Sequence, residues 1–205
     1  MKILIEFDHQ KATQAINFFA KKEGGKIDKL KLLKLIWLAD RYHLRKYGRP
    51  IINDTYWAMS YGPVASAVKD IVAEKPDFLS LEEAKYLDKY IKCNQKNNEI
   101  KSIAEIDSDV FSKTDLESLE QIYKEYGKFK NSSLVKISHE FPEWKKFKDE
   151  LESKAITRKQ MNYNDFFDNP DKDASVKNIF DENKKKINYA KSIFKENYRI
   201  ADSWA

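Results

Sequence analysis

The sequence predicts a mainly α-helical protein: a compact multi-helix domain around a central buried helix, with a small β-hairpin and a C-terminal helical extension. Three observations lead to this fold class. Apolar residues recur at helical spacing over most of the 205 residues, and capping residues and glycines separate these stretches. Glycine and proline number only five each, which disfavours a sandwich or barrel built from many tight turns.

The central helix is predicted from about residue 28 to residue 47. Asp28 is a suitable N-cap, and Gly48 and Pro50 predict the end of the helix. A wide apolar arc is typical of a buried helix; here it contains Leu30, Leu33, Ile36, Trp37, Leu44 and Tyr47. The narrow opposite strip carries the basic residues Lys31, Lys34, Arg41 and Arg45.

The dipeptide Gly62-Pro63, preceded by Tyr61, predicts the start of a third helix. Proline is favoured at the first helical position, and glycine allows other groups to approach the backbone closely. We therefore expect Tyr61→Ala or Pro63→Gly to destabilise the whole domain, because each would disturb helix entry or a core contact.

The remaining chain predicts a hairpin over about residues 89–104, followed by helices that begin near Ser112, Ser132 and Pro142. Helical periodicity fades after residue 153 and returns in a long helix over about residues 175–201. We accordingly divide the chain into a domain at 1–152 and an extension at 153–205.

Composition points to a cytoplasmic protein without a membrane span. No run of about 18 apolar residues is present, and the first seven residues are too short and too soon charged for a signal peptide. The single cysteine, Cys93, forbids an internal disulfide and fits a reducing compartment. The formal net charge of +5 is mild, with the most basic stretch in the first third.

Asp40 and His43 are the candidates for chemistry, because they lie one turn apart in the apolar arc. They could share a proton or bind a metal with His139 and Glu140, or they could form a buried hydrogen-bonded pair that joins core helices. The pair is favoured, because no HExxH, CxxC, P-loop, GxGxxG or GxSxG motif accompanies them. We predict no enzyme, catalytic residue, metal or cofactor.

Binding is the other class of function that the residues suggest. The basic strip with Arg49 could contact nucleic-acid phosphates, although a central buried helix is not typical of a recognition helix. Aromatic side chains beside arginines are typical of protein interfaces, and core packing stays open as their alternative role. The candidate partner-binding residues are Arg49, Tyr56, Trp57, Tyr163, Phe166 and Phe167.

Several motifs together resemble the SocA-like antitoxin family, also called the Panacea domain, over about residues 8–152. They are LKLLKLIWLADRYHLRKYGRPI, DTYWAMSYGPV and LEQIYKEYGKFKNSSLVKISHEFPEW. Their family-motif positions are Trp37, Asp40, His43, Gly48, Pro50, Tyr61, Gly62, Pro63, His139 and Trp144. In this chain Glu143 separates Pro142 from Trp144, where many members have proline and tryptophan adjacent.

The resemblance implies a mainly helical, non-enzymatic partner in a bacterial or phage toxin–antitoxin pair. It implies direct binding to a cognate protein toxin, of a kind that in many pairs blocks translation. The shared domain would be scaffold, and toxin choice would come from the loop around Tyr56 and Trp57 and from residues after 152. The alternative is a nucleic-acid-binding regulator that uses the basic N-terminal third.

Overall fold

The computed structural model describes residues 6–73, 79–171 and 178–203, and it is mainly helical, as the sequence predicts. The helices are α1 (His9–Lys22), α2 (Lys29–Tyr47), α3 (Ser66–Val72), α4 (Leu81–Tyr90), α5 (Lys113–Tyr126), α6 (Asn131–Ser138), α7 (Pro142–Lys145), α8 (Lys148–Glu152) and α9 (Lys184–Ser203). The strands are β1 (Lys26–Asp28), β2 (Tyr56–Met59), β3 (Gly62–Ala65), β4 (Ile91–Asn94), β5 (Glu99–Ser102) and β6 (Arg158–Gln160).

Helix α2 is buried along most of its length, on nearly every side. The Asp28 side chain accepts hydrogen bonds from the backbone N–H groups of Leu30 and Lys31, which satisfies the first turn. Gly48 ends the helix in the left-handed region, with φ of +72°. A Cβ at Gly48 would lie 2.6 Å from the Ala190 carbonyl oxygen, so the glycine also allows α9 to pack closely.

Most of the basic side chains on the strip of α2 are buried inside the protein. Lys34, Arg41 and Arg45 are all buried, so these three side chains are not available to phosphates. Periodicity within one helix does not reveal what covers its polar side, and here α7 and residues after 152 cover it. Lys31 is part-buried and pairs with Glu23 at 2.6 Å.

Two small antiparallel sheets flank the helices. One has the strand order β1-β5-β4, and Ile27 on β1 pairs with Ile100 on β5 in the core. The other has the order β3-β2-β6. Pro63 therefore lies in an edge strand instead of opening a helix, and α3 begins at Ser66. Proline is tolerated there because its missing N–H faces away from β2.

The described residues after 152 share one hydrophobic cluster with the rest of the chain. Strand β6 pairs with β2, and Phe166, Phe180 and Phe194 are buried in that cluster. Among the described residues, the part of the predicted extension seen here therefore packs into the same core as the rest of the chain. Of the predicted helix over 175–201, residues 175–177 lie outside the described residues, and α9 begins at Lys184.

Candidate functional site

The β2–β3 hairpin projects an aromatic side chain from the protein surface. Ser60 and Tyr61 form its turn, because Met59 and Gly62 are the last paired residues. Tyr61 is 69% exposed, so it supports neither helix entry nor the core, in contrast to its predicted role. A large aromatic side chain in this position is a candidate contact for another molecule.

Glycine at position 62 is required by both the turn and its surroundings. Its φ is +94°, in the region that side chains rarely adopt, and a glycine of this kind commonly follows a hairpin turn. A Cβ would lie 2.1 Å from Ser138 Oγ and 2.9 Å from Lys34 Nζ. The hairpin therefore rests directly on α6 and α2.

A buried lysine on α2 anchors the hairpin backbone by a hydrogen bond. Lys34 Nζ donates a hydrogen bond to the Pro63 carbonyl oxygen at 2.8 Å. Burial lowers the pKa of Lys34 to about 7, because the charged ammonium is taken out of water. This lysine is therefore a positioning group for the hairpin backbone and not a surface charge.

Two further motif residues hold the other strand. Trp144 Nε1 donates to the Met59 carbonyl oxygen at 2.8 Å. His139 stacks on the Trp144 ring, with centroids 3.6 Å apart and planes 2° from parallel. Burial lowers the pKa of His139 to about 4, so the ring is neutral at pH 7. Trp37 and Phe141 pack edge to face at 4.8 Å in the core.

The outer face of the hairpin carries a second aromatic group. Trp57 is half-buried on β2, and the Arg158 guanidinium lies 4.6 Å from its ring centroid. Such an arrangement is a cation–π contact, which fixes both side chains on the surface. We call Trp57, Met59, Tyr61 and Arg158 the hairpin surface. Met59 and Arg158 were missed from the sequence, since β6 has only three residues and gives no periodic signal.

Asp40 and His43 do not pair with each other in the structure. Asp40 accepts hydrogen bonds from the N–H groups of Ile51 and Ile52 and from the Tyr56 hydroxyl. Burial raises the pKa of Asp40 to about 7, against those hydrogen bonds. The carboxyl group joins α2 to the loop and strand that follow it, which is a structural role.

His43 joins α2 to α5 instead. Its Nδ1 donates to the Arg49 carbonyl oxygen at 2.8 Å, and its Nε2 lies 3.1 Å from both Thr114 Oγ1 and Asp115 Oδ1. Arg49 also contacts Asp115, at 2.8 Å. Burial lowers the pKa of His43 to about 4. The pairing of Asp40 with His43 that the sequence favoured is therefore wrong, because each side chain binds a different segment.

Most of the predicted partner-binding aromatics lie in the interior. Tyr56, Phe166 and Phe167 are buried, and the Tyr163 hydroxyl donates to the Asp54 carbonyl oxygen at 2.7 Å. Burial favours the core alternative for these side chains, which the sequence left open. Trp57 differs, because it remains half-exposed on the hairpin surface.

Two buried arginines bind the chain that covers α2. Arg45 donates to the carbonyl oxygens of Phe166, Phe167, Asp168 and Phe180 and to the side chains of Asn169 and Glu182. Arg41 pairs with Glu143 at 2.7 Å and also donates to the Asp168 carbonyl oxygen. Glu143, the residue that departs from the family motif, therefore supplies a buried counter-charge for α2.

The described residues present neither a metal site nor a membrane-spanning helix. Within the described ranges, no three His, Cys, Asp or Glu side chains meet as a metal site would require. His139 stacks on Trp144, and His43 faces α5. In the described part of the chain, no helix combines the length and the apolar character needed to span a membrane.

Comparison with known proteins gave one match. A family model described as "Antitoxin SocA-like, Panacea domain" matches residues 32–145, which is more than half of the chain. The matched stretch contains α2 from residue 32 onward, the β2–β3 hairpin and α7, and it ends before β6. Searches of curated proteins and of solved structures found no significant match.

Proposed function

The chain belongs to the SocA-like antitoxin family with the Panacea domain, and we propose that it neutralises a cognate protein toxin by binding it directly. The toxin would be encoded beside it in a bacterial or phage genome and could block translation, which would place both proteins in the cytoplasm. In this proposal the chain has no catalytic role.

The observation that carries this proposal is the exposed Tyr61 on an anchored hairpin. Lys34 and Trp144 hold the backbone on either side of the turn, so Tyr61 is presented on a rigid support. A rigid aromatic anchor loses little conformational entropy on binding, which is why such residues dominate many interfaces. Trp144 and other family-motif residues thus build the support, and in this proposal Tyr61, itself a family-motif residue, makes the contact.

The nucleic-acid alternative has less support. It relied on the basic strip of α2, and Lys34, Arg41 and Arg45 of that strip are buried. Arg45 is fully occupied by acceptors of its own chain. A phosphate backbone would therefore not reach these groups unless the protein opened.

Growth rescue tests the proposed function. The protein encoded beside this chain's gene is expressed from an inducible promoter together with the wild-type chain, Tyr61→Ala or Tyr189→Ala. Tyr189 is the matched control, because it is also 69% exposed but lies on α9. We expect rescue by wild type and Tyr189→Ala and loss of rescue with Tyr61→Ala. A neighbour that is harmless alone, or that no variant neutralises, would contradict the proposal.

A further inference from the structure

Among the residues that the structure describes, none pairs with the outer edge of strand β6. The Met161 N–H donates to the Tyr56 carbonyl oxygen, and Lys159 pairs with Ala58, so alternate residues of this segment face β2. By the same alternation, the backbone groups of Arg158 and Gln160 face away from the sheet. Strand β6 is the last strand in the order β3-β2-β6, and its three residues are exposed. An exposed edge of this kind can pair with another extended chain.

A groove continues from the end of this edge. It has a volume of about 830 Å³ and lies between the loop at 53–56, the segment at 160–164 and α9. Its floor includes Tyr56 and Phe194, and its rim carries Lys195 and Arg199. The groove is therefore positioned to receive the continuation of a chain that pairs with β6.

The charges along this path are mainly positive. The exposed basic residues are Arg158, Lys159 and Lys195. Arg199 forms an ion pair with Glu196 at 2.7 Å. The carboxylate of Asp54 in the groove is buried, and it accepts hydrogen bonds from the N–H groups at the start of α3. An acidic partner segment is thus complementary to the exposed side chains.

We propose that the partner contributes an extended, acidic segment that adds to β6 as a fourth strand and continues into the groove. The backbone of this segment forms hydrogen bonds with the outward-facing N–H and C=O groups of Arg158 and Gln160. Its carboxylates form ion pairs with Lys159 and Lys195. This inference rests on the proposed function and specifies which part of the toxin is recognised.

Proline substitution at the free edge tests the strand pairing. Gln160→Pro removes an outward N–H without removing a hydrogen bond to β2, whereas Gln160→Ala keeps that N–H. Binding of the protein encoded beside the gene is measured by calorimetry. We expect Gln160→Pro to weaken binding at least tenfold and Gln160→Ala less than threefold. Equal affinities for a folded Gln160→Pro variant and Gln160→Ala would overturn the strand pairing.

Charge reversal tests the acidic character and does not depend on the fold of the proline variant. The double variant Lys159→Glu/Lys195→Glu should slow association at least tenfold at 50 mM salt and less at 300 mM, because salt screens the attraction. Lys113→Glu is the control, since Lys113 is exposed on α5 and should change the rate less than twofold. Unchanged association of the double variant would overturn the acidic assignment.

Hydrogen exchange separates this inference from the proposed function. In the complex, the amides of Arg158 and Gln160 should exchange at least tenfold more slowly than in the free chain. Neutralisation with unchanged exchange at these amides would overturn the strand pairing and leave the proposed function intact. Absence of both binding and neutralisation by wild type would overturn the two together.

Discussion

Replacement of Arg45 by alanine should severely destabilise the protein, because this side chain attaches the chain after 152 to α2. The guanidinium has acceptors on residues 166–169, 180 and 182, and the side chain is 1% exposed. Orphaned buried carbonyl groups cost about 1–3 kcal/mol each, and a broken buried ion pair costs about 3–5 kcal/mol. Water entering the vacated space offsets part of this sum, so we expect a loss of about 4 kcal/mol in the free energy of unfolding.

Urea denaturation followed by tryptophan fluorescence measures this loss. Arg199→Ala is the control, because Arg199 is an exposed arginine on α9 whose guanidinium pairs with Glu196 in solvent. Its denaturation midpoint should match wild type. An Arg45→Ala loss below about 1 kcal/mol would refute the reasoning, since surface-like pairs contribute that little. It would mean that the chain after 152 is not held by α2.

Two further predictions concern the support of the hairpin. In urea denaturation, Gly62→Ala should lower the free energy of unfolding by about 3 kcal/mol and Gly24→Ala by about 1 kcal/mol. Both glycines have positive φ, but only at Gly62 would an added Cβ clash with Ser138. Equal losses for the two variants would contradict the contact between the hairpin and Ser138. The pKa of Lys34 is about 7 in the folded protein and 10.5 when the side chain is in water, so unfolding binds a proton between these two pH values. The free energy of unfolding should therefore rise by roughly 2 kcal/mol from pH 7.5 to 9.5. Lys34→Met should abolish that rise, and an unchanged pH dependence would show that Lys34 is not buried.

The bounds of α2 were predictable because the signals for its two ends are local. Asp28 and Gly48 define the ends of α2, and its apolar arc is visible in a single stretch of sequence. The family membership was predictable for a related reason, since several motifs each occupy a short segment. The mainly helical class followed from the same periodicity.

The burial of Arg41 and Arg45 was not predictable from the helix that carries them. Their partners lie up to 137 residues away in sequence, in segments with weak periodicity of their own. Long-range pairing leaves no signal in the spacing of either segment. The same reason explains why Asp40 and His43 seemed to be a pair, although Tyr56 and Thr114 are their side-chain partners.

Part of the hairpin surface was predictable from the sequence, and part was not. Trp57 is predicted as a possible partner contact because aromatic residues beside arginines are typical of interfaces. Tyr61 is predicted to support helix entry or the core, because Gly62-Pro63 resembles a helix start. Strands of three or four residues are too short to show a period of two, so the sequence pattern does not predict β2, β3 or β6. Only the pairing of the strands shows that Tyr61 projects into solvent.

The affinity of the proposed toxin partner for the Tyr61→Ala variant tests the central claim most directly. Calorimetric titration of the adjacent gene's product compares wild type, Tyr61→Ala and the equally exposed Tyr189→Ala. We predict at least a tenfold loss of affinity for Tyr61→Ala, about 1.4 kcal/mol or more, with an unchanged urea midpoint and less than a twofold change for Tyr189→Ala. Equal affinities for the two variants would contradict the account.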